Sequence, residues 1–497
     1  MKKLLILIAS VGVMSTSCRK IEVDGGTTTV TTTPTPNAEN TILEGRIINN
    51  LTLKATYTYK LRGLVYVTNG AILTIEPGTK IVGENGKNGC LIITRGARII
   101  ADGTQDKPIV FTSEATTPQR GDWAGLVILG QAPNNSSFNG VDGIGEIEGG
   151  INNSDGLGLY GLGLSSNLAD NSGILRYVRI EYAGYAFLPD KEINGLTLGG
   201  VGNQTIVDYV QVSYANDDSF EWFGGSVNCK HLISFRTLDD DFDTDNGYSG
   251  KVQFGISLRD SSIADISKSE AFESDNDANG SDRKTFLQSI GVSPNNPVAI
   301  VPVRTSVVFS NMTLVGPKEL ATSKGNSLFL AGAQIRRNSE QSIFNSVFLG
   351  WGGGSVNGLL IDASKGVPID LSLAPAGGLN FQNNIIAGPA ANAVSYAASA
   401  TAPTGATKAT ITDWVNTAAF GNTMVTANTE VGLTAPFSYS APDFNPSATS
   451  AAAATGAAFA STKLKTTTNG VLDFKVVTYK GACGVGDTWW KTWTSYK

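Results

Sequence analysis

The sequence predicts an all-β protein built as a β-solenoid, on three observations. Apolar residues make up 41% of the chain, with 57 glycines and only 16% charged residues, a composition of short strands and many turns rather than helices. Short runs alternate apolar and polar residues and end in Gly, Asn or Pro. Several of these runs superimpose on one another at offsets of a few tens of residues.

The repeats fall into three groups. VYVTNGAILTIEPGT and LIITRGARIIADGT align Thr68-Asn69-Gly70-Ala71 with Thr94-Arg95-Gly96-Ala97, an offset of 26. YVRIEYAG (177–184), YVQVSYAN (209–216) and HLISFRTL (231–238) form a second group. In the third, FSNMTLVGP, FNSVFLGWG and FQNNIIAGP align Phe309, Phe344 and Phe381, with Asn311, Ser346 and Asn383 two places later. A coil of a solenoid buries its apolar face only against its neighbours, so aligned Phe and Asn positions are expected to stack as ladders. A propeller needs about 40 residues per blade, longer than the offsets of 26 in the first group and 22 between residues 209 and 231. The 390–470 region is Ala/Thr-rich. TITDWVNTAAF (410–420) is expected as a short helix, and APDFNPSATSAAAATGAAF as a turn-rich late coil. The three tryptophans of GDTWWKTWTSYK are expected to plug the open end of the stack.

The N-terminus reads as an export signal. MKKLLILIASVGVMSTSC has two lysines, an apolar run from Leu4 to Val13 and small residues leading into Cys18. That is the pattern of a bacterial lipoprotein signal, with residues 1–17 removed and Cys18 lipidated. Residues 18–41 are Thr/Pro-rich and form a tether, about 20 residues spanning roughly 70 Å when extended. Residues 42–497 are then the β-helix with its C-terminal cap. The expected location is the outer membrane, at the cell surface. Cys90, Cys229 and Cys483 are too widely spaced for a disulfide framework or a zinc site and are expected as buried thiols.

Net charge is −6, which leaves no case for a nucleic-acid partner. The acid is concentrated: residues 217–282 hold fifteen Asp and Glu against five Lys and Arg. NDDSFEWFGG (216–225) and LDDDFDTDNG (238–247) align at an offset of 22, setting Asp217 on Asp239, Asp218 on Asp240, Phe220 on Phe242 and Glu221 on Asp243. EAFESDND (270–277) adds Phe272, Glu273 on Asp243 and Asp275 on Asp245. Neighbouring strands lie about 4.8 Å apart, so Asp217, Asp218, Glu221, Asp239, Asp240, Asp243, Asp245, Glu273 and Asp275 form an acidic ladder at one corner. Calcium, which takes six to eight oxygen ligands in irregular geometry, suits such a ladder. The competing readings are a solvated loop and a catalytic cluster. DFDTDNG is not an EF-hand loop, because its glycine comes one place late and no glutamate follows.

His231 is the only histidine, so a nucleophile–histidine arrangement has one candidate base; a structural role is expected for it. Paired carboxylates also suit glycoside cleavage, and Lys230 or Arg236 is a candidate base for a calcium-assisted polysaccharide lyase. Trp123 and Trp222 are candidates for stacking on sugar rings, with core packing as the competing role.

LTIEPGTKIVG, LIITRGARIIADGT, GDWAGLVILG, NGLTLGGVG, NDDSFEWFGG, LDDDFDTDNGYSGKVQFG and FESDND together resemble a family of surface lipoproteins of Bacteroidota type. PDFNPSATSAAAATGA resembles the closing segment of pectate-lyase-like right-handed β-helices. The resemblance spans residues 42–497 and implies a right-handed parallel β-helix at the cell surface, but carries no activity with it. The wider superfamily includes lyases and hydrolases of acidic polysaccharides as well as non-enzymatic binding proteins. The polygalacturonase pattern is not reproduced, since His231 is followed by Leu232 rather than glycine. The expected function is binding of an extracellular ligand, a polysaccharide above all, with a structural calcium. The alternatives are the lyase and an accessory subunit of an outer-membrane uptake or assembly complex.

Overall fold

The computed structural model describes residues 41–497, apart from 85, 87, 189–190, 279–286, 291–298, 321, 353–355, 366–377, 389–392, 399–405 and 450, and apart from the side chains of 186–191, 287–290 and 299–302. Cys18, its signal and the tether lie outside these residues.

The strands stack in three parallel columns, each coil adding one rung to a column. The first column runs from Leu51–Leu53 through Ile72–Ile75 and Arg98–Asp102 to Val308–Ser310, Ser342–Phe344 and Phe381–Gln382. The second runs from Lys80–Gly83 and Ile109–Ser113 to Thr313–Val315, Val347–Leu349, Ile385–Ala387 and Thr423–Val425. The third contains Cys90–Ile93, Gly125–Leu129, Leu196–Gly199, Phe220–Phe223, Phe242–Asp245, Phe272–Ser274, Phe329–Arg336, Asn357–Ala363 and Val394–Ala398. The fold is an all-β parallel β-helix. The repeat offsets are its coil lengths: Ile72 pairs with Arg98, Val178 with Val210, and Val210 with Leu232.

The long strands Gly173–Glu181, Ile206–Ser213 and Cys229–Phe235 each serve the first and then the second column. They bend at Tyr177, Tyr209 and His231, whose φ values of +49°, +56° and +50° lie in the left-handed region. That conformation costs energy for a bulky residue, and ring stacking offsets it. Tyr177 lies 4.5 Å from Tyr209, Tyr209 lies 4.2 Å from His231, and His231 lies 5.1 Å from Phe254. His231 Nδ1 also meets Asp208 Oδ1 at 2.7 Å. The single histidine is therefore a corner residue of the stack.

In later coils the same corner is taken by Asn311, Asn345 and Asn383, with φ of +56°, +51° and +58°. This corrects the third repeat. Phe309 pairs with Ile343, which pairs with Phe381, while Phe344 faces Ser310. Asparagine tolerates the left-handed corner, so Asn345 rather than Ser346 sets the register. A one-residue slip reverses the face of every side chain. Phe344 accordingly points away from the interior and packs with Val308, Leu464 and Phe474.

The helix Lys408–Val415, begun by a Thr407 capping box, inserts Ile411 and Val415 into the main core beside Val394 and Tyr396 and so closes that end of the core. The tryptophans do not plug the end. Trp489, Trp490 and Trp493 lie along the outward side of the second column, on Ile233, Phe235, Ile256, Leu258, Val347 and Leu349. That face is apolar on both sides of the strand and must be covered. The late segment APDFNPSATSAAAATGAAF (441–459) likewise adds no coil among its described residues. Asp443–Pro446 pairs antiparallel with Leu433–Ala435, and Phe444 and Ala453 join the same covering layer. Cys90, Cys229 and Cys483 are free and buried.

Candidate metal centre

One outward row of the third column changes character along the stack. Tyr66, Ile92, Val127, Thr197, Glu221, Asp243 and Glu273 succeed one another rung by rung. The apolar members are covered by Ile147, Ile151 and Tyr160 from the hairpins of residues 137–160. Beyond that cover the row becomes acidic. Behind it, facing inward, Phe220, Phe242 and Phe272 stack with centroids 5.6 and 5.5 Å apart, in the predicted ladder.

Two residues before Leu196, Phe220 and Phe242 a side chain reaches one rung along the stack. Asn194 Oδ1 accepts the Asp218 N–H at 3.2 Å, Asp218 Oδ1 accepts the Asp240 N–H at 2.7 Å, and Asp240 Oδ1 accepts the Glu270 N–H at 2.6 Å. Each bond fixes a carboxylate on its rung, and the rungs bring the carboxylates together. Three groups result, each with one oxygen per residue within 4.8 Å of the others: Asp217, Asp218 and Asp239; Asp218, Glu221 and Asp243; Asp240, Glu270 and Glu273. Seven of the nine predicted residues belong to these groups.

Asp245 and Asp275 do not, and at that end of the ladder other partners hold them. Asp275 accepts from Arg336 Nε at 2.8 Å and from Arg337 Nη1 at 2.6 Å, and Arg336 also pairs with Glu273. Asp245 is held by the N–H and side-chain amide of Asn246. Sequence reasoning missed Glu270, although it precedes Phe272 as Asp240 precedes Phe242. It also missed Asn194, Arg336 and Arg337. Asp241 is separate from the outward cluster: it points inward, pairs with Arg259 at 3.3 Å and accepts the Ser234 hydroxyl, both partners fully buried.

Burial pushes the carboxyls of Asp217, Asp218, Glu221, Asp240, Asp243 and Glu273 well above their ordinary range, and neighbouring carboxylates add to the effect. For Glu273, Arg336 opposes the shift without cancelling it. Asp239 and Asp245 are pushed up to about 7, by burial first and then by Glu270 and Asp275 respectively.

The residues fit a hard cation. Asp243 Oδ1 and Glu270 Oε1 are shielded from water and take no hydrogen bond, and they belong to two different groups. A buried carboxylate oxygen without a donor is costly, and a cation would satisfy it. The donors are all oxygens, the set that suits calcium rather than a transition metal.

The other predicted residues lie elsewhere. Trp123 and Trp222 are fully buried and are not available to sugars. Trp123 stacks on Phe111 and donates to the Glu181 carbonyl at 2.8 Å; Trp222 lies between Phe220 and Tyr248. Lys230 and Arg236 stand on Cys229–Phe235 and its corner, away from the third column. Arg236 is bound to Asp260, which holds it protonated. Neither is a base for chemistry at the carboxylates.

No curated protein matches the chain. Among solved structures, alginate lyase from Paenibacillus sp. str. FPU-7 is similar at 11% identity and a TM-score of 0.26, over 72% of this chain and 90% of that one. The Dettilon tailspike protein is similar at 10% identity and a TM-score of 0.19, over 67% of this chain and 61% of that one. Those values say nothing about this chain's ligand. The description "Pectate-lyase like beta helix domain" matches residues 45–429. That is well over half of the sequence, and the chain belongs to the pectate-lyase-like β-helix family.

Proposed function

We propose that this protein is a lipid-anchored surface β-helix that binds an acidic extracellular polysaccharide through calcium on its third column. The observation that carries the reading is the pair of shielded, donor-less oxygens, Asp243 Oδ1 and Glu270 Oε1, in adjacent carboxylate groups. Calcium there meets only part of its six to eight oxygen ligands from side chains. Carboxylates of a uronic-acid polymer, laid along the half-buried acidic row, would complete them. The anchor follows from the signal and Cys18, and the tether would hold the helix clear of the membrane. The fold family admits binding and catalysis alike. The lyase reading is the weaker one, since its two proposed bases stand on another part of the coil.

Calcium titration by calorimetry, followed by binding to immobilised polygalacturonate and alginate, tests this. Wild type is expected to take up calcium, and to retain the polymers only with calcium present. Asp243→Asn combined with Glu270→Gln is expected to lose both. Polymer retention unchanged by a chelator, or no calcium uptake, would end the reading. Absorbance from unsaturated product during the incubation would make the protein a lyase.

A further inference from the structure

The outward side of the second column changes along its length as the third column does. From Ile233 and Phe235 onward it is apolar and covered by the C-terminal segment. In the earlier coils the same row reads Lys80, Val110, Arg179 and Gln211, and beside it Glu181 pairs with Ser213. Gln211 holds Ser495 by two hydrogen bonds of 2.8 Å, and the Tyr214 hydroxyl donates to the Lys497 carbonyl. Past this clamp lies a cleft of about 510 Å³ between residues 495–497 and the 113–118 loop. That volume is within the roughly 300–1,000 Å³ of small-molecule sites.

Two groups in the cleft are unsatisfied. Ser213 is 2% exposed, and its Oγ has no hydrogen-bond partner. Arg179 Nε faces Glu181 Oε1 at 3.0 Å as an ion pair but makes no aligned hydrogen bond. The remaining polar lining is rich in hydroxyls, with Thr112, Thr116, Tyr182 and Tyr214. Lys80, Arg179 and Lys497 against Glu181 leave a surplus of positive side-chain charge in a protein of net charge −6.

We infer that this cleft binds a sugar acid, a hydroxyl-rich ring bearing one carboxylate. Arg179 and Lys80 take the carboxylate, for which guanidinium geometry is well matched. Ser213 Oγ and the Tyr182 hydroxyl take ring hydroxyls. The site is on a different column from the acidic ladder and uses no cation, so it does not rest on the calcium reading.

Calorimetry of the full chain in a chelator, with D-glucuronate as probe, decides the matter. Glucuronate is expected to bind, with glucose at least about tenfold weaker, the size of one charge-assisted contact, and phosphate failing to compete. Arg179→Gln should weaken glucuronate by about tenfold or more. Glu181→Gln removes the carboxylate competing for Arg179 and should tighten it. A structural disturbance would weaken binding in both variants, and that result would overturn the proposal. So would phosphate binding as well as glucuronate, which means a general anion site, or no glucuronate binding by wild type. Loss of calcium-dependent polymer retention alone would leave this site standing and remove the other.

Discussion

Asp218 Oδ1 accepts the backbone N–H of Asp240 at 2.7 Å, one coil further along the stack. The same link joins Asn194 to Asp218 and Asp240 to Glu270. The acidic row is thus held by side-chain-to-backbone bonds that belong to the fold itself. Asp218 and Asp240 are held at a spacing that carboxylate repulsion opposes because each also bonds the backbone of the next rung.

Those bonds separate the structural role of Asp218 from its charge. Asp218→Ala leaves the Asp240 N–H buried without an acceptor, at a cost of about 1–3 kcal/mol. Asp218→Asn keeps the acceptor oxygen and removes the charge. Hydrogen exchange at the Asp240 amide should be fast in the alanine variant and protected in the asparagine variant. Equal protection in both would mean that the bond does not close the coil.

The raised carboxyls set a pH dependence. A carboxyl whose folded pKa exceeds its unfolded value keeps its proton longer in the native state, so stability falls as pH rises between the two values. For Asp239 and Asp245 that window runs from the ordinary aspartate value of 3.8 to about 7. In a chelator the melting temperature is expected to fall across this range, and with calcium to fall less. Calcium uptake across the range should release protons, because the ligands must be deprotonated. A chelated protein that becomes more stable from pH 4 to pH 7 would contradict the burial of these groups.

The fold was legible where coils follow one another without interruption. The 22-residue offset from Phe220 to Phe242 carried the ladder, and the eight-residue insertion before Phe272 did not obscure it. The register of Phe344 was not legible, because similarity favoured aligning phenylalanines while the left-handed corner at Asn345 decides the phase. Trp123 and Trp222 sit among glycines, which resembles a loop, yet both side chains face the interior. Arg336 and Arg337 carry no repeat signal linking them to the acidic motif; Arg336 is 61 residues from Asp275 in sequence, and only the stacking of rungs brings them there. The position of the C-terminal tryptophans depends on which faces remain apolar, and that is known only once strands are assigned to columns.

Arg336 joins Glu273 and Asp275, whose side chains are 17% and 6% exposed. Breaking a fully buried pair by removing one partner costs about 3–5 kcal/mol. At 24% exposure for Arg336 itself, a loss of roughly 2 kcal/mol is expected for Arg336→Gln. The variant should lean more heavily on calcium, since Glu273 loses its arginine and Asp275 keeps only Arg337. Chemical unfolding with and without calcium measures both effects; a loss of the same size in each condition would separate Arg336 from the metal centre.

The anchor is tested at Cys18. Cys18→Ala is expected to move the protein from the membrane fraction to the soluble fraction. Protease added to intact cells should degrade the wild-type protein if the anchor holds it on the outer face. A membrane-bound Cys18→Ala variant indistinguishable from wild type would exclude lipidation.

Calcium should stabilise the middle coils above all. A ligand that binds only the folded chain stabilises it by RT ln(1 + [L]/Kd), about 2.7 kcal/mol at a hundredfold excess over Kd. In a chain of 497 residues the unfolding entropy is large, so the shift in Tm is expected to be only a few degrees. A solenoid melts in stages when its repeats uncouple, which would confine the shift to one transition. Magnesium should restore that transition poorly, because it demands a tighter octahedral shell than the acidic row offers. Asp243→Asn with Glu270→Gln should abolish the response and raise the melting of the chelated protein, since the amides remove like charges from shielded positions. Scanning calorimetry of both proteins in calcium, magnesium and chelator makes the comparison. Identical wild-type profiles in calcium and chelator would mean that protons, rather than a cation, neutralise these carboxylates.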